Sequence, residues 1–589
     1  MKRIIVSTML FLLAHMAYGI KIRYSLDFAK AATHYISVTM HVTEWAGDSM
    51  IIKLPVWMPG SYMVREYSKN IESVAAQVGG KATKVTKVRK NGWKIDTRGA
   101  NTVTVTYLYY ANELNIRQTH TDEGHAFIMP GTICCFVEGF INQPCTLAIV
   151  PLSDWKNLST ALEQIANTRF EVVAMDYDEL VDSPVEVGNH QVIQFEAQGI
   201  PHEFAIYGNV NPDKDKLVRD TRKIIKACTN VFGENPCKRY VFFSHHYPGA
   251  GGGLEHKNSC TLAGSTEIFS KDDLYRGHLN LIAHEYFHLW NVKRLRPEPL
   301  GPFDYDNENY CELLWFAEGF TAYYDDLITY RCGLVKQDDY LKTVSGSLSY
   351  LIHTPGNDVQ SLDESGFDAW IKYYRANENS PNSTVSYYTK GGMVGLLLDL
   401  EIISRTQGLK NLDTLMRYMY TIYSKQLDKP FSYSDVIAAA NTITGTNMSS
   451  FFDKWITSTG AVPTASYFDQ FGILYKQTID SALSWTLGIK GNAVRQGFAV
   501  TGVTRNSEGF NKGITAGDII IYFDGVGGPE KIDSLVKVST NLTFETHVFR
   551  RGQTIKLKLE KKFQAVYQIA LEPIKKRDKY FDLWLQKED

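Results

Sequence analysis

Several things are missing from this 589-residue chain, and each absence narrows what it can be. No run of eighteen apolar residues occurs, so no membrane-spanning helix is expected and the mature chain should be soluble. Charge of one sign is not in excess: the net charge is −2, with 21 % charged and 44 % apolar residues. That balance belongs to an ordinary globular protein and gives no electrostatic reason to expect nucleic acid or an anionic membrane as partner. No Cys-x-x-Cys pair exists, so a thiolate zinc site is not indicated. The glycine-rich stretch PGAGGGLEHKNSCTLAG (248–264) lacks the GxxxxGK and GxGxxG spacings that would make it a phosphate cradle.

What is present begins with a short basic start, Lys2 and Arg3, followed by an apolar stretch from Ile4 to Ala14. Ala17-Tyr18-Gly19 offers small residues for cleavage, so residues 1–19 look like an export signal, with a membrane anchor as the alternative. No Cys follows it, so lipid attachment is not suggested. The eight cysteines permit disulfides in an exported chain. Cys228 with Cys237, and Cys311 or Cys260 with Cys332, are possible pairs. Asn157, Asn382, Asn447 and Asn541 head N-x-S/T patterns, which matter only where glycosylation occurs.

The chain's chemistry concentrates in LYRGHLNLIAHEYFHLWNVKRLR (274–296). It contains His284-Glu285-Tyr286-Phe287-His288, an HExxH pattern. On a helix, positions i and i+4 share a face, so both imidazoles can meet one point. Two neutral imidazoles at that spacing suit Zn²⁺, and Glu285 can reach a metal-held water as general base. No Gly or Pro interrupts 278–296, so one continuous helix is expected. The bland alternative is a pair of core histidines.

A third ligand, a Glu, is expected from the following helix, Glu312 to Tyr330. Glu298 and Glu308 fall in a loop, and Glu312 at a helix start is explained by the macrodipole. Glu318 sits mid-helix among Trp315, Phe316, Ala317, Gly319 and Phe320, where a carboxylate needs a partner and a cation is a good one. Upstream, residues 20–200 alternate apolar and polar residues between turn signals and read as a β domain. Two stretches there are unusual: WMPGSYMVREYSKNI (57–71) and RQTHTDEGHAFIMPGTICCF (117–136). Each is either a structural turn or a rim reaching the site. Glu255 is expected on a short edge segment lining a cleft. Helices are expected at 213–233, 387–405, 410–425, 434–443 and 449–460, with short β runs again from about 482. Arg294 and Arg296 could hold a peptide carboxylate, but ion-paired or solvated arginines at a helix end are the simpler reading.

HEYFHLWNVKRLRP (284–297), LLWFAEGFTAYYDDL (313–327) and WMPGSYMVREY (57–67) together resemble the glycyl aminopeptidase family of exported zinc peptidases. SEGFNKGITAGDIIIYFDG (507–525) resembles a PDZ domain, which that family carries at this place. The resemblance implies a multidomain α+β protein. Its parts would be a signal peptide (1–19), an N-terminal β domain (20–205), a thermolysin-like catalytic domain (206–475), a PDZ-like β domain (480–565) and a C-terminal extension (566–589). It places zinc on His284, His288 and Glu318 with Glu285 as base, the gluzincin arrangement. More distantly, the chain is similar to the aminopeptidase clan related to leukotriene hydrolase. That clan has a Gly-x-Met-Glu-Asn strand whose Glu holds the substrate amine, and Gly252-Gly253-Leu254-Glu255-His256 stands at a comparable place with Leu and His substituted. Its Tyr-x-Lys-Gly oxyanion motif is matched by Tyr388-Thr389-Lys390-Gly391.

The expectation is an exported (periplasmic or secreted) zinc aminopeptidase. It acts on peptides with a free N-terminus, with small first residues such as Gly or Ala implied by the resemblance alone. Glu285 and Tyr388 are catalytic, while Glu255, Gly252 and Gly253 bind substrate. Leu487-Gly488-Ile489 is a candidate carboxylate loop for a peptide C-terminus at the PDZ-like part. A zinc endopeptidase, or a peptide-binding protein with a silent metal site, remains the alternative.

Overall fold

The structure, a computed structural model, describes residues 19–460, 465–574 and 579–587. The export-signal expectation therefore lies almost wholly outside the described residues. The chain divides into two compact units, one of Met1–Asn230, Glu234–Arg294 and Pro299–Asn309, the other of Val231–Gly233, Leu295–Glu298 and Tyr310–Asp589.

The first unit is built on sheets. Its largest has eight strands, with Lys21–Asp27 between the parallel Cys145–Val150 and the antiparallel Tyr35–Thr43. Tyr35–Thr43 buries every second residue, the period-2 signature of a half-covered strand. A four-stranded sheet holding Ser49–Lys53 and Gly92–Asp96 contributes Met50, Ile52 and Ile95 to the same buried cluster as Tyr24, Val38, Met40 and Leu147. A further five-stranded sheet runs Gln191–Ala197, Ile200–Gly208, Tyr240–His246, Ser259–Gly264, Gly252–Glu255. Its middle three strands are parallel, and Gly252–Glu255 is an antiparallel edge. Tyr240–His246 is buried throughout, as a parallel strand covered on both faces must be. The boundary expected at 205/206 falls inside Ile200–Gly208. The strand's backbone pairing, rather than the change in texture near 213, marks the start of this sheet. The helix Asp272–Phe287 packs on Ser259–Gly264 and Gly252–Glu255.

The second unit is mostly helical. The single helix expected at 312–330 is instead a π-helical turn, Trp315–Gly319, running into Phe320–Arg331. Thr389–Arg405 is buried along most of its length and packs on both. A C-terminal six-stranded sheet, with Gly497–Val503 and Ile519–Phe523 near its middle, has its own core of Leu487, Ile489, Phe498, Ile520, Phe544 and Val548. This part is inserted into a two-stranded ribbon, Ile473–Ile479 with Tyr567–Pro573. The returning strand docks on the helix Gln337–Ile352, where Ile569 and Leu571 N–H groups donate to Ser349 Oγ (2.8 Å) and Ser345 Oγ (3.0 Å). The last helix then seats Trp584, fully buried, with its indole N–H on the Tyr323 hydroxyl.

Two expectations are corrected. None of the eight cysteines, seven of them buried, is in a disulfide, so neither Cys228–Cys237 nor any pair with Cys332 forms. They pack as small hydrophobic residues. Asn382 is not an accessible acceptor: its amide donates to Val503 C=O and its oxygen accepts from Arg505 N–H, both at 2.8 Å. Among the described residues, no helix is long and apolar enough to cross a membrane.

Within the helical core, Asp399 accepts from Tyr323 Oη (2.5 Å) and Leu412 N–H (2.8 Å). Burial, with Asp413 nearby, raises its pKa from 3.8 to about 6. As pH rises, the unfolded chain ionises first, so Asp399 lowers stability between these two values and its full cost is present above about 6. Asp399→Asn is expected to raise stability at pH 8 by about 2 kcal/mol and to change it little at pH 4, read from urea midpoints at both values.

Candidate active site

The helix bearing the HExxH pattern is held by its outer face. Tyr286 is fully buried, 4.7 Å from the Tyr240 ring, and its hydroxyl accepts from Asn235 Nδ2 (2.7 Å) and meets His202 Nε2 (3.0 Å). The helix stops at Phe287, not at Arg296, and His288 caps its C-terminus. The chain then tightens: Leu289, Trp290 and Lys293 N–H groups bond back to Tyr286, Phe287 and His288 carbonyls. Trp290 fixes the turn by donating to Glu234 C=O at 3.0 Å. His284 and His288 face each other with ring centroids 4.7 Å apart and planes at 83°. His288 Nδ1 lies 2.7 Å from Asn291 C=O. That carbonyl can only accept, so Nδ1 carries the proton and, in the neutral ring, Nε2 keeps its lone pair for a metal.

Glu255, Glu285 and His288 are brought together, with one ligand atom of each within 4.8 Å of the others, and all three are buried. Gly253 makes this possible. A Cβ there would fall 2.0 Å from Glu285 Oε1, so the carboxylate lies on bare backbone. Gly252, exposed and with φ of +91°, starts the same edge strand. Glu255 Oε1 is buried without a hydrogen-bond partner, a costly state that an incoming cationic group would relieve. The 57–71 stretch is a rim, not merely a turn: a Cβ on Gly60, at φ +82°, would meet both Glu255 carboxylate oxygens at 2.8 Å.

A residue not singled out in the sequence ties these parts together. Asp182 accepts from Lys293 Nζ (2.8 Å) and Lys257 N–H (2.7 Å) and lies 3.2 Å from His256 Nδ1. Burial alone would raise its pKa, but Lys293 and His256 hold it well below the usual carboxylate range. The end of the Glu255 strand is thereby joined to the turn after His288. No local pattern marks Asp182, because its partners lie 74 to 111 residues away. Arg294 is spent on Lys257 C=O, Leu289 C=O and Asn258 Oδ1, each at 2.8 Å. It is a staple.

In the second unit, Glu318 is buried within the π-helical turn. Gly319 and Gly391 let that turn and the Thr389–Arg405 helix meet at backbone distance: a Cβ on Gly319 would lie 2.6 Å from Gly391 Cα. The contact sets Tyr388, the residue preceding that helix, near Glu318. Burial, then the Glu318 charge, pushes the Tyr388 phenol well above its ordinary value. Tyr387 is shifted the same way by burial, Tyr374 and then Glu318, making it a second phenol beside this carboxylate that the sequence motif did not flag.

Two family models match the chain. "M61 glycyl aminopeptidase" covers residues 277–394 and "Peptidase M61 N-terminal domain" covers 23–189. Among solved structures, an aminopeptidase N family protein from Idiomarina loihiensis is 29 % identical, with a TM-score of 0.88 over 96 % of this chain and 99 % of that one. An M1 zinc metallopeptidase from Deinococcus radiodurans is 12 % identical, with a TM-score of 0.48 over 76 % of this chain and 96 % of that one. Native yeast LTA4 hydrolase is 12 % identical, with a TM-score of 0.47 over 75 % and 68 %. At those scores the latter two bear no weight on this chain's chemistry. No curated protein matches. The matches and the fold define a peptidase of aminopeptidase type, with an N-terminal β domain and a helical catalytic part. Within that class, the chain belongs to the M61 glycyl aminopeptidase family.

The Gly253 contact has a measurable outcome. The atoms a methyl would strike are the far end of a flexible side chain, so Gly253→Ala is expected to fold normally while displacing the Glu285 carboxylate. Peptidase kcat should fall at least about tenfold with the melting temperature nearly unchanged. Gly319→Ala strikes backbone instead, and is expected to lower stability by about 2 kcal/mol or more in urea unfolding.

Proposed function

We propose that the chain is an exported zinc aminopeptidase that removes small N-terminal residues from peptides. One observation supports exopeptidase action above the rest. The Glu255 carboxylate, with an unpartnered oxygen, lies within 4.8 Å of both Glu285 and His288. A peptide whose ammonium group pairs with Glu255 has its first amide beside Glu285.

His284, His288 and Glu318 are the proposed zinc ligands. Two imidazoles with one tautomer fixed by Asn291 and a buried carboxylate are a donor set that suits Zn²⁺ with one position left for solvent. When bound, the ion would supply a Lewis acid that polarises the scissile carbonyl and acidifies water. Glu285 accepts the proton of the attacking water and delivers it to the departing amine. The Tyr388 hydroxyl donates to the oxyanion as it forms, its raised pKa keeping it protonated. Glu255 holds the ammonium, and Gly252 and Gly253 leave the strand edge bare for the substrate backbone. The preference for a small first residue such as Gly follows the family description, glycyl aminopeptidase.

The C-terminal sheet is proposed to be a PDZ-like domain. Its first strand, Ile489–Val494, is an edge that an extended peptide could join. Gly488, at φ +68°, donates its N–H to Thr486 Oγ1 (3.0 Å), which takes one donor of the candidate carboxylate loop out of use. That favours packing over capture of a peptide C-terminus.

Glu285→Gln should abolish hydrolysis of aminoacyl-arylamides with zinc content unchanged; retained turnover would remove the base assignment. N-acetylation of a peptide should stop its cleavage, whereas an endopeptidase would cut both forms, and a silent site neither. Tyr388→Phe is expected to lower kcat about 100-fold with little change in KM, while Tyr387→Phe changes kcat less than about threefold.

A further inference from the structure

The polar half of the 117–136 stretch takes no part in the chemistry above. It forms a hairpin, His120–Thr121 paired with His125–Ile128, whose turn carries Asp122. One ligand atom from each of His120, Asp122 and His125 lies within 4.8 Å of the others. Asp122 is locked by its turn: Oδ1 accepts Gly124 N–H (2.8 Å) and His125 N–H (3.0 Å). Oδ2 lies 3.3 Å from His120 Nε2 and 3.4 Å from Tyr207 Oη.

The rings are held from behind. His125 Nδ1 lies 2.6 Å from Glu186 Oε1, and Tyr207 stacks on the His125 ring at 3.4 Å. The second oxygen of Glu186 meets His245 Nε2 at 2.9 Å. With Nδ1 donating to a carboxylate, Nε2 of a neutral His125 is a lone pair, and it is buried with no hydrogen-bond partner. His120 also has a buried ring nitrogen, Nδ1, without a partner. A carboxylate orienting an imidazole whose other nitrogen has nothing to bind is the arrangement found behind metal ligands. Asp122 is the partly exposed member, giving an ion an entry path and a place for water.

We infer that His120, Asp122 and His125 form a second divalent-metal site, of zinc class, separate from His284 and His288. Its role is structural. The chain just before the hairpin is fixed to the five-stranded sheet, with Tyr247 Oη on Leu114 C=O and Ile116 beside Gly252. A bound ion would brace this segment against the edge strand that carries Glu255.

The test uses the full chain stripped with chelator and titrated with Zn²⁺ alone. In a His284→Ala/His288→Ala background, one equivalent should still bind, and zinc should still raise the melting temperature. Adding His120→Gln or, separately, Asp122→Asn should remove both effects, with far-UV circular dichroism reporting the fold. Asp122 is partly exposed, so its variant carries the test should His120→Gln misfold. A background that binds no zinc, or binding that survives both substitutions, overturns the proposal. An unmodified chain that binds a single equivalent which persists in the background would instead place the ion at the hairpin and count against the site proposed for catalysis.

Discussion

A carboxylate laid directly on peptide backbone is the constraint on which the candidate site depends. Glu285 and the Gly252–Glu255 strand can approach only because position 253 has no side chain. The approach in turn needs a sheet edge at that place, and a helix whose far side is anchored by Tyr286 and whose following turn is fixed by Trp290. A second bare-backbone contact, Gly319 against Gly391, does the same for Glu318 and Tyr388 in the other unit. In both cases glycine serves close approach, and the turn-forming freedom usually credited to it is secondary.

The parts legible beforehand are those whose logic is local. Histidines four apart on a helix, alternating strands in 20–200, and the apolar surroundings of Glu318 follow from short-range periodicity and burial cost. The end of the HExxH helix at Phe287 was not legible. No Gly or Pro marks it, and the turn is closed by Trp290 reaching Glu234, 56 residues away. Asp182 escaped notice for the same reason. Cysteine count suggested bridges, yet no disulfide forms and the thiols pack as small apolar side chains. The 117–136 stretch stood out as odd, but its partners Glu186, Tyr207 and His245 come from distant strands and only the fold assembles them.

Polar groups around the candidate sites of the first unit fall into two kinds. Asp182 and Arg294 are saturated by fixed partners and act as fasteners. Glu255 Oε1, His120 Nδ1 and His125 Nε2 are desolvated without one. Desolvated, unpaired groups cost stability and persist in folded proteins mainly where something else completes them. That contrast within one unit separates framework from candidate function more sharply than residue type does.

The C-terminal sheet is not a terminal appendage. It is spliced into a ribbon whose outgoing strand ends at Ile479 and whose return strand, Tyr567–Pro573, lies on the Gln337–Ile352 helix before Trp584 plugs the helical core. A nonsense mutation that removes the sheet therefore also removes the return strand and Trp584 from the helical part. Gene-level loss of the sheet alone requires an in-frame internal deletion, so lineages cannot shed it by simple shortening.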